Sequence, residues 1–156
     1  MENNNDQLQQ FQVAEIYIQY SSKVKPSQRP KITSSKDAHT ILKQSWDINR
    51  IELIEQFKVL LTNRANKAIG IVEISTGGIS GTVVDPKLVF VAALKAGACG
   101  MILSHNHPSG NLLASESDIQ LTKKLKEGGK LLEIQLLDHI IITSESYFSF
   151  ADEGLI

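Results

Sequence analysis

One cysteine, Cys99, is all the thiol the chain has. A lone thiol excludes an intramolecular disulfide, and with it the small disulfide-stapled secreted domain; the cytoplasm is the simpler expectation. Charge of one sign is not in excess either: 16 Lys and Arg stand against 17 Asp and Glu, a formal net charge of −1. A surface that works by neutralising phosphates shows a basic excess or stripe, so nucleic acid is the weaker expectation for a partner. No apolar run approaches the roughly 20 residues that cross a bilayer. The start Met1-Glu2-Asn3-Asn4-Asn5 lacks the basic-then-apolar order of a signal peptide, so no membrane partner is expected. What is present is ordinary: 42% apolar and 21% charged residues in a chain of 156. Those figures predict one globular domain and argue against wholesale disorder, a collagen-like fibre or a coiled coil.

Residues 1–10 are almost all Asn, Gln, Asp and Glu and are expected to be disordered. Residues 11–30 read as a leading strand (11–19, rich in β-formers) followed by a polar loop holding Pro26 and Pro30. Residues 31–156 read as one α/β domain. A helix starts at Ser34 or Ser35, either of which can cap it, and carries Ala38, Ile41, Leu42 and Trp46 at helical spacing, with His39 facing solvent. Strands follow over 57–61 and 68–74, joined by turn residues 63–66. Asp85-Pro86 opens a second helix that stops near Gly97, and Cys99 enters a buried strand over 99–103 as a small core residue. A third helix over 115–127 is closed by Gly128-Gly129, and two strands over 131–137 and 140–143 complete the chain. Strands alternating with helices predict a mixed sheet with helices packed on it.

The chemistry lies in Ser104-His105-Asn106-His107-Pro108-Ser109-Gly110 and in Ser115 and Asp118 beyond it. In an extended segment residues i and i+2 point to the same side, so His105 and His107 can aim two imidazoles at one point. Neutral imidazoles suit Zn²⁺, and Asp118 can close a His₂Asp set that leaves a fourth position for water, the pattern of a catalytic site. Pro108 and Gly110 reverse the chain so that the next helix starts over the strand end. Ser115 and Asp118 are also spaced as a capping box, and the two roles are compatible.

The whole pattern, His105-x-His107-Pro108-x₆-Ser115-x₂-Asp118, resembles the JAMM motif of the JAB/MPN metalloprotease domain family. The loop text and the segment Leu137-Asp138-His139-Ile140-Ile141-Ile142 resemble its RadC-like branch more specifically. The resemblance covers roughly residues 30–156. It implies a three-layer α/β fold with a central mixed β-sheet between helices. It also implies a zinc-dependent hydrolase of a peptide or isopeptide bond acting on a peptide or protein substrate. His105, His107 and Asp118 become the metal ligands, an upstream Glu the general base, and Ser115 the group that steadies the oxyanion. Asn106 stands where many eukaryotic members carry Ser or Thr, which separates the chain from deubiquitinating enzymes. RadC-like proteins often carry a helix–hairpin–helix region linked to DNA repair, and none is expected in residues 1–30. The alternative reading is therefore a DNA-repair-associated accessory or nucleic-acid-binding module without turnover. Helices and edge strands also offer surfaces for a homodimer.

Three upstream acids compete as base: Glu52, Glu55 and Glu73. Glu55 shares parity with Phe57, Val59 and Leu61, the inward face of its strand. The resemblance agrees, placing an acid two residues before the aromatic that opens this strand. Glu52 falls outside the strand and is expected in solvent; the direction of Glu73 is ambiguous because its strand is apolar on both faces. His139 can stand behind the site as a supporting group, with a packed or surface histidine the favoured reading.

Overall fold

The computed structural model of the protein describes Tyr17 and residues 19–156. The polar terminus expected over 1–10 and most of the strand expected over 11–19 lie outside the described residues. In chain order the elements are α1 (Ser35–Lys43), β1 (Gln56–Thr62), β2 (Ala68–Thr76), α2 (Pro86–Lys95), β3 (Gly100–Asn106), α3 (Glu116–Leu131), β4 (Gln135–Ile142) and β5 (Tyr147–Ser149). A short 3₁₀ turn, Pro26–Gln28, precedes them.

The sheet has five strands in the order β2-β1-β3-β4-β5. Only β3 and β4 run parallel; the other pairs are antiparallel, so the sheet is mixed. A parallel pair needs a crossover, and α3 supplies it. Every residue of β1 and of β3 is buried, because both faces of these central strands are covered. Phe57, Val59, Leu61, Met101 and Leu103 pack against Val89 and Ala93 of α2 and Leu125 of α3. Leu60, Ile102, Ile140 and Ile142 pack on the other side against Ala38 and Leu42 of α1 and against Trp46 and Ile51. The alternation of side chains along a strand thus builds two cores and three layers, as expected for the α/β fold. Among the described residues no helix is long and apolar enough to cross a membrane.

Local chemistry explains the helix ends. The side chain of Ser34, not Ser35, accepts the amide of Asp37 and caps α1. Asp85 caps α2 by accepting the amide of Lys87, with Pro86 in the first turn, where a missing N–H costs nothing. Past α2 the chain reverses at Gly97, whose φ of +63° favours glycine.

Four expectations need correction. Gly128 and Gly129 do not end α3, which continues to Leu131. They permit close packing instead: a Cβ on Gly128 would sit 2.7 Å from the Phe90 ring, and one on Gly129 2.3 Å from the carbonyl oxygen of Ile134. The two strands expected over 131–137 and 140–143 are one strand, β4, and the last strand is the three-residue β5. The polar pair Asp138-His139 reads as a break in sequence, yet both residues are buried and hydrogen-bonded. Cys99 lies just before β3 and is half-buried. His39 does not face open solvent; its ring stacks on Tyr147 with centroids 4.3 Å apart.

Candidate metal centre

On β3, Met101 and Leu103 point toward the α2/α3 layer, and strand alternation sends His105 the same way. Phe57 stands opposite His105 in the β1–β3 register, and the two rings stack at 12° with centroids 6.1 Å apart. His105 therefore continues an apolar row and is itself buried. It lies at the carboxyl end of one of the two parallel strands, the place where open α/β sheets bind ligands.

The chain then turns back as expected. The amide of Gly110 donates to the carbonyl of His107 at 3.1 Å, and Gly110 takes a φ of +78°. The amide of His107 donates to the carbonyl of Ile142 at 3.0 Å, which pins the residue to the end of β4. His107 Nδ1 lies 2.6 Å from the carbonyl oxygen of Asn111. A carbonyl only accepts, so Nδ1 carries a proton, and Nε2 is the atom left to face His105.

Ser115 caps α3 in a full capping box. Its Oγ accepts the Asp118 amide at 3.2 Å, while Asp118 Oδ2 accepts the Ser115 amide at 2.7 Å and the Ser115 hydroxyl at 2.6 Å. One carboxylate oxygen is thereby fixed to the helix start, and the other, Oδ1, lies 3.3 Å from His105 Nε2. The Nε2 atoms of His105 and His107 are 2.9 Å apart, and His107 Nε2 is 3.9 Å from Asp118 Oδ2. Burial raises the Asp118 carboxyl, but the hydrogen bond and charge of His105 and the hydrogen bonds from Ser115 outweigh it, leaving the group well below the usual carboxylate range.

The His105, His107 and Asp118 ligand atoms converge within 4.8 Å of one another. A tetrahedral ion with bonds of about 2.0–2.1 Å holds its ligand atoms about 3.3 Å apart, so the triangle fits such an ion. Two imidazoles and one carboxylate also match the donor set.

A further layer stands behind these three residues. His139, fully buried on β4, lies with Nε2 2.9 Å from His105 Nδ1 and with Nδ1 2.7 Å from Thr122 Oγ1. Burial, then the charge of His105, lowers the His139 pKa well below the ordinary imidazole range. The reading of His139 as merely packed or exposed is thus corrected: it is packed and also touches a ligand. Thr122 and Asn111 were not foreseen. Thr122 sits four residues after Asp118 on α3, and that spacing, which shares a helix face, was the available signal.

Asn106 leaves β3 on the opposite face. Its Oδ1 accepts from Trp46 Nε1 at 3.0 Å and from the Gln56 amide at 2.8 Å. Its Nδ2 donates to the carbonyls of Ile51 and Ile54 at 2.7 and 2.8 Å. The segment it grips leads into Glu55, whose amide donates to Gly78 O at 2.9 Å and whose carbonyl accepts from Gly77 N at 2.8 Å. Glu55 is half-buried, and its carboxylate has no hydrogen-bond or ion-pair partner among the described residues. Glu55 lies two residues before Phe57, so strand alternation continued past the end of β1 assigns it the parity of Phe57, the partner of His105. Glu73 pairs in register with Lys58, and its carboxylate meets Gln56, Thr76 and Lys58 on the other face. Glu52 is exposed in the turn before β1, on the wall of a polar cavity shared with Pro108, Ser109 and Gly110.

Known proteins of this kind exist. The family model of the RadC-like JAB domain matches residues 32–155. A UPF0758 protein of Flavobacterium johnsoniae is 51% identical over 125 residues, 80% of this chain and 53% of the relative. A UPF0758 protein of Methanosarcina mazei is 40% identical over 126 residues, 81% of this chain and 54% of the relative. One of Desulfitobacterium hafniense is 36% identical over 132 residues, 84% of this chain and 56% of the relative. The chain spans about half the length of these curated relatives.

Proposed function

The chain belongs to the RadC-like JAB domain family, and on that premise we propose that it is a zinc-dependent hydrolase of a peptide or isopeptide bond, acting in the cytoplasm on a peptide or protein substrate. The observation that carries the proposal is the convergence of His105 Nε2, His107 Nε2 and an Asp118 carboxylate oxygen at one point. Glu55, whose carboxylate has no partner among the described residues, is assigned as the base on its strand parity with Phe57.

A bound Zn²⁺ supplies an acidified water and a Lewis acid for the scissile carbonyl. His105, His107 and Asp118 would hold the ion. Glu55 takes the proton from the attacking water and delivers it to the leaving amine, a task for which its carboxylate is uncommitted. Ser115 stands beside the centre, but its hydroxyl proton is engaged with Asp118 Oδ2. To donate to an oxyanion the hydroxyl must turn away from that carboxylate; while engaged, it orients a ligand.

Metal analysis of purified protein, coupled to peptidase profiling with and without a chelator, tests the proposal. The expected result is one Zn²⁺ per chain, with hydrolysis lost on chelation and restored by zinc. Equal zinc in the wild type and in Asp118→Ala after the same dialysis would refute the ligand assignment.

A further inference from the structure

The geometry points to Thr122 and His139 as positioning residues that hold His105 in the one tautomer able to bind a cation through Nε2. The inference rests on the reading of His105, His107 and Asp118 as a metal centre, and adds what sets the chemical state of its most buried ligand.

The argument is a count of protons along one chain of hydrogen bonds. Thr122 Oγ1 lies 2.6 Å from the carbonyl oxygen of Asp118, one helical turn back. A carbonyl has no proton to give, so the single hydroxyl proton of Thr122 lies in that contact. Thr122 Oγ1 then meets His139 Nδ1, 2.7 Å away, only as an acceptor, and the proton of His139 is on Nδ1. A neutral His139 with its proton on Nδ1 has a bare Nε2. That bare nitrogen faces His105 Nδ1 at 2.9 Å, so His105 carries a proton on Nδ1; with a cation bound, its Nε2 and that of His107, 2.9 Å apart, would both turn lone pairs to the ion, and without one a proton lies between them.

Reversing the chain fails at its first link. If Thr122 gave its proton to His139, two oxygens would face each other at 2.6 Å with no hydrogen between them. His139 would then be protonated on Nε2, and the proton of His105 would be forced onto its own Nε2, between the ligand atoms. The fold leaves little freedom for either ring to escape. His139 is fully buried and stacks on Phe150 with centroids 4.6 Å apart, and His105 is held against Phe57. Metal-ligating histidines ordinarily give their second N–H to a carboxylate, a carbonyl or water. Here a second imidazole takes it, and its own state is set by the backbone of another ligand. Asp118 thus acts on His105 through its main chain as well as its carboxylate.

The test uses the full chain with ¹⁵N-labelled histidine and two-bond ¹H–¹⁵N correlation spectra, metal-free and after addition of Zn²⁺. His139 should show a proton on Nδ1 and a bare Nε2 in both states, and His105 a proton on Nδ1. Thr122→Val removes the hydroxyl and frees His139 to take the other tautomer. Zn²⁺ affinity, read by competition with a chromophoric chelator, should fall about 10- to 100-fold. Thr122→Ser restores both the hydroxyl and the affinity. A purely structural Thr122 would lower the urea midpoint and leave the His139 tautomer and the zinc affinity unchanged, which overturns the inference. So does a wild-type His139 protonated on Nε2, a reading that needs no variant to fold. A wild type that shows the expected tautomers but binds no Zn²⁺ removes the metal centre itself, and the two failures are told apart by which measurement departs.

Discussion

Asn106 and His105 are neighbours on β3 that leave the sheet through opposite faces. His105 meets Asp118 under α3, and Asn106 meets Trp46, Ile51, Ile54 and Gln56 on the α1 side. Strand alternation makes this unavoidable, and it couples the two sides of the sheet. The strand residue that enters the candidate metal centre is followed at once by the one that fixes the segment leading to Glu55.

Asn106→Ala should therefore be strongly destabilising. It leaves four polar groups unpartnered, those of Trp46, Gln56, Ile51 and Ile54. At roughly 1–3 kcal/mol for each buried orphan, partly relieved by water, a loss of about 3–5 kcal/mol is expected. Urea unfolding checks it. At low temperature, where the variant stays folded, zinc should be retained while turnover falls, because the ligands lie on the other face, whereas the segment leading into Glu55 is the one that Asn106 holds.

Ser115→Ala separates a cap from a site residue. Losing the cap should cost about 1 kcal/mol by thermal or urea unfolding. The same hydroxyl also holds Asp118 Oδ2, so zinc affinity should weaken in parallel. If the hydroxyl turns to serve an oxyanion, the rate should fall about 10²–10³-fold. A lowered melting temperature with rate and affinity unchanged would leave the cap as its only role.

Gly129→Ala should destabilise although alanine is the better helix former by about 1 kcal/mol. The new Cβ would lie 2.3 Å from the backbone oxygen of Ile134, which cannot move without displacing the start of β4. A net loss above about 2 kcal/mol is expected. Gly128→Ala should cost less, because its Cβ meets the far edge of the Phe90 ring, a side chain able to turn. Unfolding curves that rank the two variants the other way would contradict this packing account.

His39 gives a pH signature away from the candidate metal centre. Burial first, then the charge of Lys43, lowers its pKa below the ordinary imidazole value. Its Nε2 is buried without a partner, and the ring stacks on Tyr147. A histidine whose folded pKa is depressed stabilises the fold above its unfolded pKa of about 6.5 and loses that contribution as pH falls below it. His39→Phe keeps the stacking and removes the titration. The variant should lose less stability than the wild type between pH 7.5 and pH 5.5, as read by urea unfolding at each pH; parallel losses would refute it.

The sequence made the centre legible because its parts follow local rules. The i, i+2 spacing of His105 and His107, the reversal at Gly110 and the capping box of Ser115 and Asp118 each depend on a few neighbouring residues. What stayed hidden depends on distant pairings. His139 reaches His105 only because β4 lies parallel to β3 in the register that sets it beside Leu103. The Gly128-Gly129 pair looks like a helix stop until Phe90 and Ile134 are seen against it. The three-residue β5 exists only because β4 offers it an edge. Parity on β1 predicted the inward direction of Glu55, but the same rule could not orient Glu73. The β1–β2 register shifts twice, and the pairing of Glu73 with Lys58 becomes visible only in the folded sheet.

That pairing sharpens the choice of general base. Glu73 is spoken for by Gln56, Thr76 and Lys58 on the face away from His105, and Glu52 is exposed before the strand begins. Glu55 alone of the three has the strand parity of Phe57, whose ring lies on His105, and its carboxylate has no partner among the described residues. A base must be free to take a proton, give it up and keep its place. The backbone hydrogen bonds of Glu55 to Gly77 and Gly78 meet the last condition while leaving the side chain free for the first two. Glu55→Gln preserves shape and removes proton transfer. It should keep its fold and its full complement of Zn²⁺ yet lose about 10²–10⁴-fold in rate on any substrate found for the wild type. Glu52→Gln should hydrolyse as the wild type does. Glu73→Gln should do the same with a slightly lower unfolding midpoint, since Lys58 loses its carboxylate partner. Comparable turnover by Glu55→Gln and the wild type at equal zinc content would remove Glu55 from the mechanism and leave the ligand set standing.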